Sequence, residues 1–586
     1  MPSTADPSRP GQPHQSISVR TSSPPPAMPP PPMRSLSPEE LLAQTSLLDN
    51  LMDDIGMGKF QKQLMFLCGL GWFADNMWMQ CIALILPRVQ DQFEIQDKYI
   101  GILSSSMFVG MMFGAMFWGM LADAYGRKQA FNFTLIVTTF FGIAASFANS
   151  YWLLCLLILG LGFGVGGNMP VDGALFLEFT PKKNQYLLTF LSIFFSFGAV
   201  ATSLLGYFLL PPFSCETHVE GGCRGRGWRY MLLALGGLTL SMVVGRVILF
   251  RLEESPKFLL NHNRHQEAAV VLCRIFEINH KEPQSDNFEE NIEALTTRFQ
   301  QPDTGIYSGE ESSSSESESS DAGTSPTEFG NMRRVPTSDP DSALSRHRRL
   351  GSNQTGGPHS HEPGTRPSYF ARQRRHWKHK WNTALRRLEP LLAPKFRLST
   401  ILIWIIWALV AFAYTAFNVF YPKFLQEHGQ TGNESLKQVY QDMIVYSLSG
   451  VPGSVLATYM VETFLGRRYT MAVSTFGTAL SVILFAFLSS HTVSVVVSAI
   501  LSLLSTLNYA VIYSYTPEVF PSEIRGTACG VAAAMSRLAG IVSPLIVGAM
   551  LTVNTSFPLY ASALTFLISG ICMVFLPIET RGRAAT

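Results

Sequence analysis

Charge is what this sequence has least of. Only 15% of its 586 residues are Asp, Glu, Lys or Arg, against about 25% in an ordinary soluble protein. Since 47% are hydrophobic, lipid is the expected solvent for much of the chain. The net charge of +2 gives no global basic surplus, so nucleic acid is not an expected partner. Eight cysteines show no paired CxxC spacing, which removes support for a metal cluster or thioredoxin-type chemistry. No Ser/His/Asp set and no phosphate loop is present to run covalent chemistry or hydrolyse ATP. The chain therefore reads as a non-enzyme without cofactor or metal, and any energy it uses must come from ion or solute gradients. A cleaved signal peptide is also missing, because the Pro/Ser-rich start through PPPAMPPPPM lacks the basic-then-apolar layout. Residues 1–58 are expected to be a disordered N-terminus.

What is present is a series of long apolar runs. A spanning helix needs roughly 20 apolar residues to cross about 30 Å of hydrocarbon. Such runs begin near Leu64, Ile100, Ala130, Tyr151, Tyr186 and Trp228, and again near Ser399, Tyr440, Tyr469, Thr492, Gly526 and Phe557. Every backbone group in lipid must be satisfied within its own segment, so the fold class is an all-α membrane protein of twelve transmembrane helices. The expected units are a six-helix bundle over 59–252, a linker over 253–398, a second six-helix bundle over 399–578 and a tail over 579–586.

The linker is a different material. SPKFLLNHNRHQEAAVVLCRIFEINHK has apolar residues at helical spacing and predicts a short surface helix. GEESSSSESESSDAG, from Gly309, is an acidic serine tract with no core-forming residues. RQRRHWKHKWNTALRRL, from Arg372, is basic with Trp377 and Trp381 interleaved. Two readings stand: a solvated linker, or a basic end lying on anionic membrane lipid in competition with kinase-modified serines of the acidic tract.

Orientation follows from the bases in short loops. Arg127 and Lys128, Lys182 and Lys183, and Arg467 and Arg468 mark the cytoplasmic side and place both termini there. The plasma membrane is the expected location, with an endomembrane as the alternative. One loop disagrees, since Arg224, Arg226 and Arg229 fall outside. The same assignment puts Cys215 and Cys223 in the oxidising compartment as a candidate disulfide. It also puts the sequons at Asn433 and Asn554 outside as candidate glycosylation sites, whereas Asn353 should stay unmodified.

The chain repeats itself. Gly126 of GRK and Glu178 of FLEFTP are 52 residues apart, as are Gly466 of LGRR and Glu518 of TPEVFP, which gives an offset of 340. That offset superposes Arg127 on Arg467, Lys128 on Arg468, Pro181 on Pro521 and Asn168 on Asn508. A duplicated six-helix unit explains it, as in transporters whose halves are related by an axis along the membrane normal. In GMLADAYGRK, from Gly119, the glycine at 126 permits a sharp turn, Arg127 and Lys128 sit at the interface, and Asp123 can pair with a base or face a helix N-terminus. The motif reads either as a charge network that gates one side or as basic residues anchoring a loop.

GxLADxxGRK, LGRR, EESPKFLL, YTPEVFPSEIRGT and PIETRGR together resemble the major facilitator superfamily. GLGWFADNMWMQ, GFGVGGNMPVDGALFLEF and MSRLAGIVSP are similar to its branch of synaptic-vesicle-type and sugar-transporter-like carriers, in a fungal-type member. The resemblance covers residues 56–583 apart from most of the linker. It implies two pseudo-symmetric six-helix bundles whose first, fourth, seventh and tenth spans line a central cavity. In the second turn motif Thr463 stands where the family places an acid, with Glu462 one place off. The arginine that follows the family's acidic element is present as Arg525, but the first half offers only Lys182, Lys183 and Gln185.

An ionisable group at the bilayer centre costs roughly 2.5 to 3.5 kcal/mol on insertion scales and marks a pathway by default. Asp75, Asp172, Arg246 and Arg537 are such groups. Asp75 is the proton-coupling candidate; the alternatives are a structural ion pair with Arg537 and a direct substrate contact. Asn76, Asn168, Asp172, Asn418, Asn508 and Arg537 are substrate-cavity candidates, with Tyr414, Tyr421, Tyr509 and Tyr513, because amides and phenols can bond polar solutes while their apolar parts pack. The run GLGFGVGG, from Gly160, lies inside an apolar span with no preceding strand, so it reads as close helix packing rather than a dinucleotide loop. Glu178 and Glu518 read as interface partners of nearby bases. The expected function is a secondary carrier moving a small polar organic solute, a sugar or an organic ion, together with a proton, by alternating access. The alternative from another class is a transport-incompetent sensor or scaffold acting through the long cytoplasmic segments.

Overall fold

The computed structural model describes residues 38–184, 187–214, 225–249, 252–262, 264–279, 292, 389–428, 436–487 and 490–580. Cys215, Cys223, Arg224, Asn353, Asn433 and the acidic and basic tracts of the linker lie outside the described residues. The helices that follow are α1 (Pro38–Ile55), α2 (Lys59–Phe93), α3 (Asp97–Tyr125), α4 (Arg127–Ala145), α5 (Tyr151–Glu178), α6 (Leu187–Phe190), α7 (Ser192–Phe213) and α8 (Gly227–Val244). Two short helices, α9 (Pro256–Asn261) and α10 (His265–Asn279), precede α11 (Arg397–Asn418), α12 (Tyr421–His428) and α13 (Leu436–Met460). The chain closes with α14 (Gly466–Phe487), α15 (His491–Val519), α16 (Ser522–Leu551) and α17 (Phe557–Val574).

Among the described residues, ten helices are long and apolar enough to cross a membrane. The two that fall short, α2 and α4, hold the first and third places of the expected series. The middle of α2 carries Asp75, Asn76 and Gln80, and α4 opens on the polar run Arg127-Lys128-Gln129. Polar residues lower the apolar signal where a helix faces protein rather than lipid. Turns fall where the sequence places glycine: Gly126 has φ +112° and Gly466 has φ +62°, backbone that other residues adopt only with strain.

The glycine run in α5 is used for packing. A Cβ on Gly162 would lie 2.3 Å from the Met107 carbonyl oxygen, and one on Gly110 of α3 would lie 2.0 Å from that of Leu159. These two helices therefore touch backbone to backbone, the arrangement small residues permit in lipid.

The halves are joined closely at the Asp97 end. Near the start of α3, a Cβ on Gly101 would lie 1.9 Å from the Pro544 carbonyl oxygen, and Ser105 Oγ donates to the Ile541 carbonyl at 2.8 Å. Lys423 of α12 pairs with Asp97, and Arg88 donates to Gln426 at 3.0 Å. Further in, Ser203 and Ser447 hydroxyls lie 2.7 Å apart. At the Arg127 end, Cβ positions on Gly119, Gly526 and Gly530 face open space.

Part of the N-terminal segment differs from the disordered reading. Helix α1 packs Leu48, Leu51, Met52 and Ile55 into a buried cluster with Leu259, Leu272 and Phe276 of α9 and α10. Lys182 pairs with Asp49 at 2.8 Å, and its backbone N–H donates to Asp53 at 3.1 Å. A short amphipathic stretch sits hidden behind a proline-rich tail, and an unpartnered apolar face needs a surface to bury against. The linker's first part forms that surface with two helices where the spacing predicted one.

Candidate functional site

The central cavity lies between the halves and has a volume of about 170 Å³. Helix α2 contributes Trp72, Asp75, Asn76 and Gln80 to its wall. From the other half, α11 contributes Trp407, Tyr414 and Asn418, α15 contributes Tyr509 and Tyr513, and α16 contributes Arg537. Trp72 and Tyr513 rings lie 6.4 Å apart across the two halves. Trp407 meets Tyr513 edge-on at 4.9 Å, and Tyr414 meets Tyr509 at 5.3 Å. Such edge contacts hold flat side chains in place.

Asp75 is the acid on this wall. It is 2% exposed, and its Oδ1 accepts a hydrogen bond from Asn168 Nδ2 at 2.7 Å. Asn168 stands behind Asp75 rather than on the wall. The internal repeat breaks here, since the offset that places Asn168 on Asn508 places Asp75 on Thr415. Asn508 is buried and off the wall, with no hydrogen-bond partner for its Oδ1 among the described residues. The acid is present in one half only.

Asp172 does not line the cavity. Its Oδ2 accepts from Arg246 Nη2 at 2.6 Å, and both side chains are fully buried. Arg246 lies on a π-helical segment, Gly245–Leu249, that continues α8. It also donates to the carbonyls of Phe131 at 2.7 Å and Leu67 at 3.1 Å, and lies 3.7 Å from the Phe131 ring centre. The pair thus ties α2, α4, α5 and α8 together behind the cavity. Tyr421 is also off the wall: it is buried and donates to Ser498 Oγ at 2.7 Å.

Asn76 Nδ2 donates to the Phe195 carbonyl at 2.7 Å. Asn418 Nδ2 donates to Gln80 Oε1 at 3.3 Å, which crosses between the halves. Arg537 has no carboxylate within 4.0 Å and no partner for its Nε among the described residues.

The turn motifs form matching networks, each within its own half. Arg127 pairs with Asp123 at 2.8 Å and with Glu178 at 3.3 Å. Arg467 pairs with Glu518 at 2.5 Å and approaches Glu462 at 3.8 Å, so the displaced acid reaches the arginine more weakly than Asp123 does in the first half. Gly119 has open space before it, and Arg525 Nε donates to the Phe520 carbonyl at 3.4 Å. Lys128 and Arg468 supply backbone donors. Glu254 Oε1 accepts from the N–H groups of Arg127 at 2.7 Å and Lys128 at 3.3 Å. Glu579 accepts from Arg467 at 3.0 Å and Arg468 at 3.1 Å in the same way. Both carboxylates sit on helix N-termini, where the dipole favours them. Sequence reasoning quoted EESPKFLL and PIETRGR without seeing this role; the signal was their equivalent place after the last span of each half. Asn554 is exposed and accepts from the Ser556 N–H at 2.8 Å.

A paired-half helical bundle around a central cavity that carries a few polar groups among aromatic rings defines a membrane transporter rather than an enzyme. The comparisons agree. The Major Facilitator Superfamily model matches residues 64–461 and 403–586. An uncharacterised MFS-type transporter of Schizosaccharomyces pombe is 32% identical over 553 residues, covering 93% of this chain and 89% of its own. The synaptic vesicle 2-related protein of Pongo abelii is 25% identical over 564 residues, covering 92% and 82%. Among solved structures, the partially occluded inward open conformation of the xylose transporter XylE from E. coli superposes with a TM-score of 0.60 at 13% identity, covering 89% of this chain and 99% of that one. This chain belongs to the Major Facilitator Superfamily and is a multi-pass integral membrane protein.

Proposed function

We propose that the protein is a secondary carrier that moves a small polar organic solute by alternating access, with Asp75 carrying a proton. One observation supports this above all: a cavity with a single acid on its wall, buried Asp75, lies between halves that are latched at the Asp97 end. Rocking of the halves would expose the cavity to each side in turn. The moving units would be residues 59–252 and 399–578, with 253–398 as the linker. The basic residues at 127, 128, 182, 183, 467 and 468 support a cytoplasmic Arg127 end with both termini inside.

Asp75 suits proton coupling because it faces the cavity yet needs only Asn168 to hold its side chain. A buried carboxylate without a cation within ion-pair reach is one that protonation can neutralise cheaply. The turn networks would then brace each half while it moves.

The test is uptake into proteoliposomes of sugars, carboxylates and amines under an imposed pH gradient. The expected outcome is gradient-driven accumulation of at least one solute, with the gradient dependence lost in Asp75→Asn. If folded protein moves none of them, the sensor reading replaces the carrier.

A further inference from the structure

We propose that the cavity takes a small organic monoanion, a carboxylate on an aromatic or similarly flat body, and that Arg537 receives the carboxylate. This rests on the carrier reading above. Among the described residues, Arg246 is fully buried and Arg537 is partly exposed on the cavity wall, both within the spans, and they differ in how they are satisfied. Arg246 has a carboxylate and two carbonyls around it. Arg537 lines the cavity, yet no carboxylate lies within 4.0 Å among the described residues and its Nε makes no hydrogen bond. A desolvated guanidinium lacking acceptors is costly, and its planar fork matches a carboxylate in bidentate fashion.

Apart from Asp75, the rest of the wall is neutral and does not select for charge. Trp72 Nε1, Gln80 Nε2, Ser104 Oγ and Asn418 Oδ1 line it without hydrogen-bond partners among the described residues, so they can bond polar substituents of a solute while Arg537 alone selects a negative one. Trp407 donates to Thr516 at 2.9 Å. A cation would meet Arg537 and find one acid, whose Oδ1 already accepts from Asn168. What the wall offers in quantity is ring surface, from Trp72, Trp407, Tyr414, Tyr509 and Tyr513.

Charge balance points the same way. With Asp75 ionised, the wall's acid and base cancel, and an entering monoanion adds one negative charge. A proton on Asp75 restores neutrality before the loaded cavity changes sides, which lowers the cost of carrying charge through a low-dielectric centre. Anion and proton would therefore travel together.

The experiment measures binding, so membrane leakage of weak acids does not enter. Purified full-length protein is titrated calorimetrically with benzoate, benzylamine, phenylalanine and D-xylose. Benzoate is expected to bind most tightly, with affinity lost at least about tenfold in Arg537→Gln and partly retained in Arg537→Lys. If Arg537→Gln fails to fold, probe selectivity and Arg537→Lys decide. Preference for benzylamine, phenylalanine or D-xylose, binding of no probe, or unchanged benzoate affinity in a folded Arg537→Gln overturns the proposal. Those outcomes leave the carrier reading intact if any solute is accumulated by proteoliposomes. Benzoate binding without transport of any solute would instead remove the carrier reading and keep the anion site.

Discussion

Asp172 and Arg246 form a sealed ion pair at 2.6 Å, with both side chains fully buried. A Cβ on Gly71 would lie 1.7 Å from Asp172 Oδ2, so the pair has been given its room by a glycine. Removing one member of a buried pair leaves an uncompensated charge and costs about 3–5 kcal/mol. Asp172→Asn and Gly71→Ala are both expected to lower the melting temperature in detergent sharply. Joint replacement by Asp172→Leu and Arg246→Met should recover much of the loss. Transport by the surviving Asp172→Asn protein should keep its pH profile, which separates this acid from Asp75.

Asp75 makes the opposite prediction. Its partner Asn168 is neutral, so Asp75→Asn breaks no direct ion pair and keeps a side-chain oxygen to accept from Asn168. Stability should change by no more than about 1–2 kcal/mol. Accumulation against a gradient should be lost while solute exchange at equal concentrations persists. A protein that still accumulates solute with the same pH dependence would remove Asp75 from the coupling role.

Much of this was legible in the sequence, and the reasons it stopped are physical. Apolar runs and glycine turns are local, so the helices and both turn motifs could be placed directly. The cavity residues Asp75, Asn76, Tyr414, Tyr509 and Tyr513 were readable as polar or aromatic positions in the spans expected to face inward. Asp172 looked equivalent to Asp75 because nothing near it in the chain shows that Arg246, 74 residues on, closes over it. Glu254 reaches Arg127 from 127 residues away, and such pairings depend on packing that composition does not encode. Trp72 and Trp407 were passed over because a tryptophan in an apolar run carries no local mark of facing a cavity.

The latch between halves can be tested from outside. Lys423 pairs with Asp97 and also donates to Gln90 Oε1 at 3.2 Å. Partly exposed pairs contribute about 0.2–1 kcal/mol, so unlatching should shift the open population by about 1.4- to fivefold. Ser104 lines the cavity, and Ser104→Cys provides a reporter. An impermeant maleimide added on the Asp97 side should label it faster by that factor in Asp97→Asn or Lys423→Gln. Equal labelling rates would mean that the backbone contact between Gly101 and Pro544 closes this end alone.

The packed N-terminal helix makes a prediction with a definite sign. His265 starts α10 beside the cluster that α1 completes, and burial lowers its pKa below the ordinary value. The unfolded form binds a proton near pH 6.5, while the packed form resists it. Packing is therefore favoured fully above that value and weakens as pH falls through the lowered one. The protection factors of α10 amides, taken relative to the intrinsic exchange rate at each pH, should fall between pH 7.5 and 5, and His265→Leu should flatten the response. Leu51→Asp, which puts a charge into the same cluster, should raise exchange in α10 at every pH. Fast exchange in the unaltered protein across the whole range would show that α1 does not hold α10.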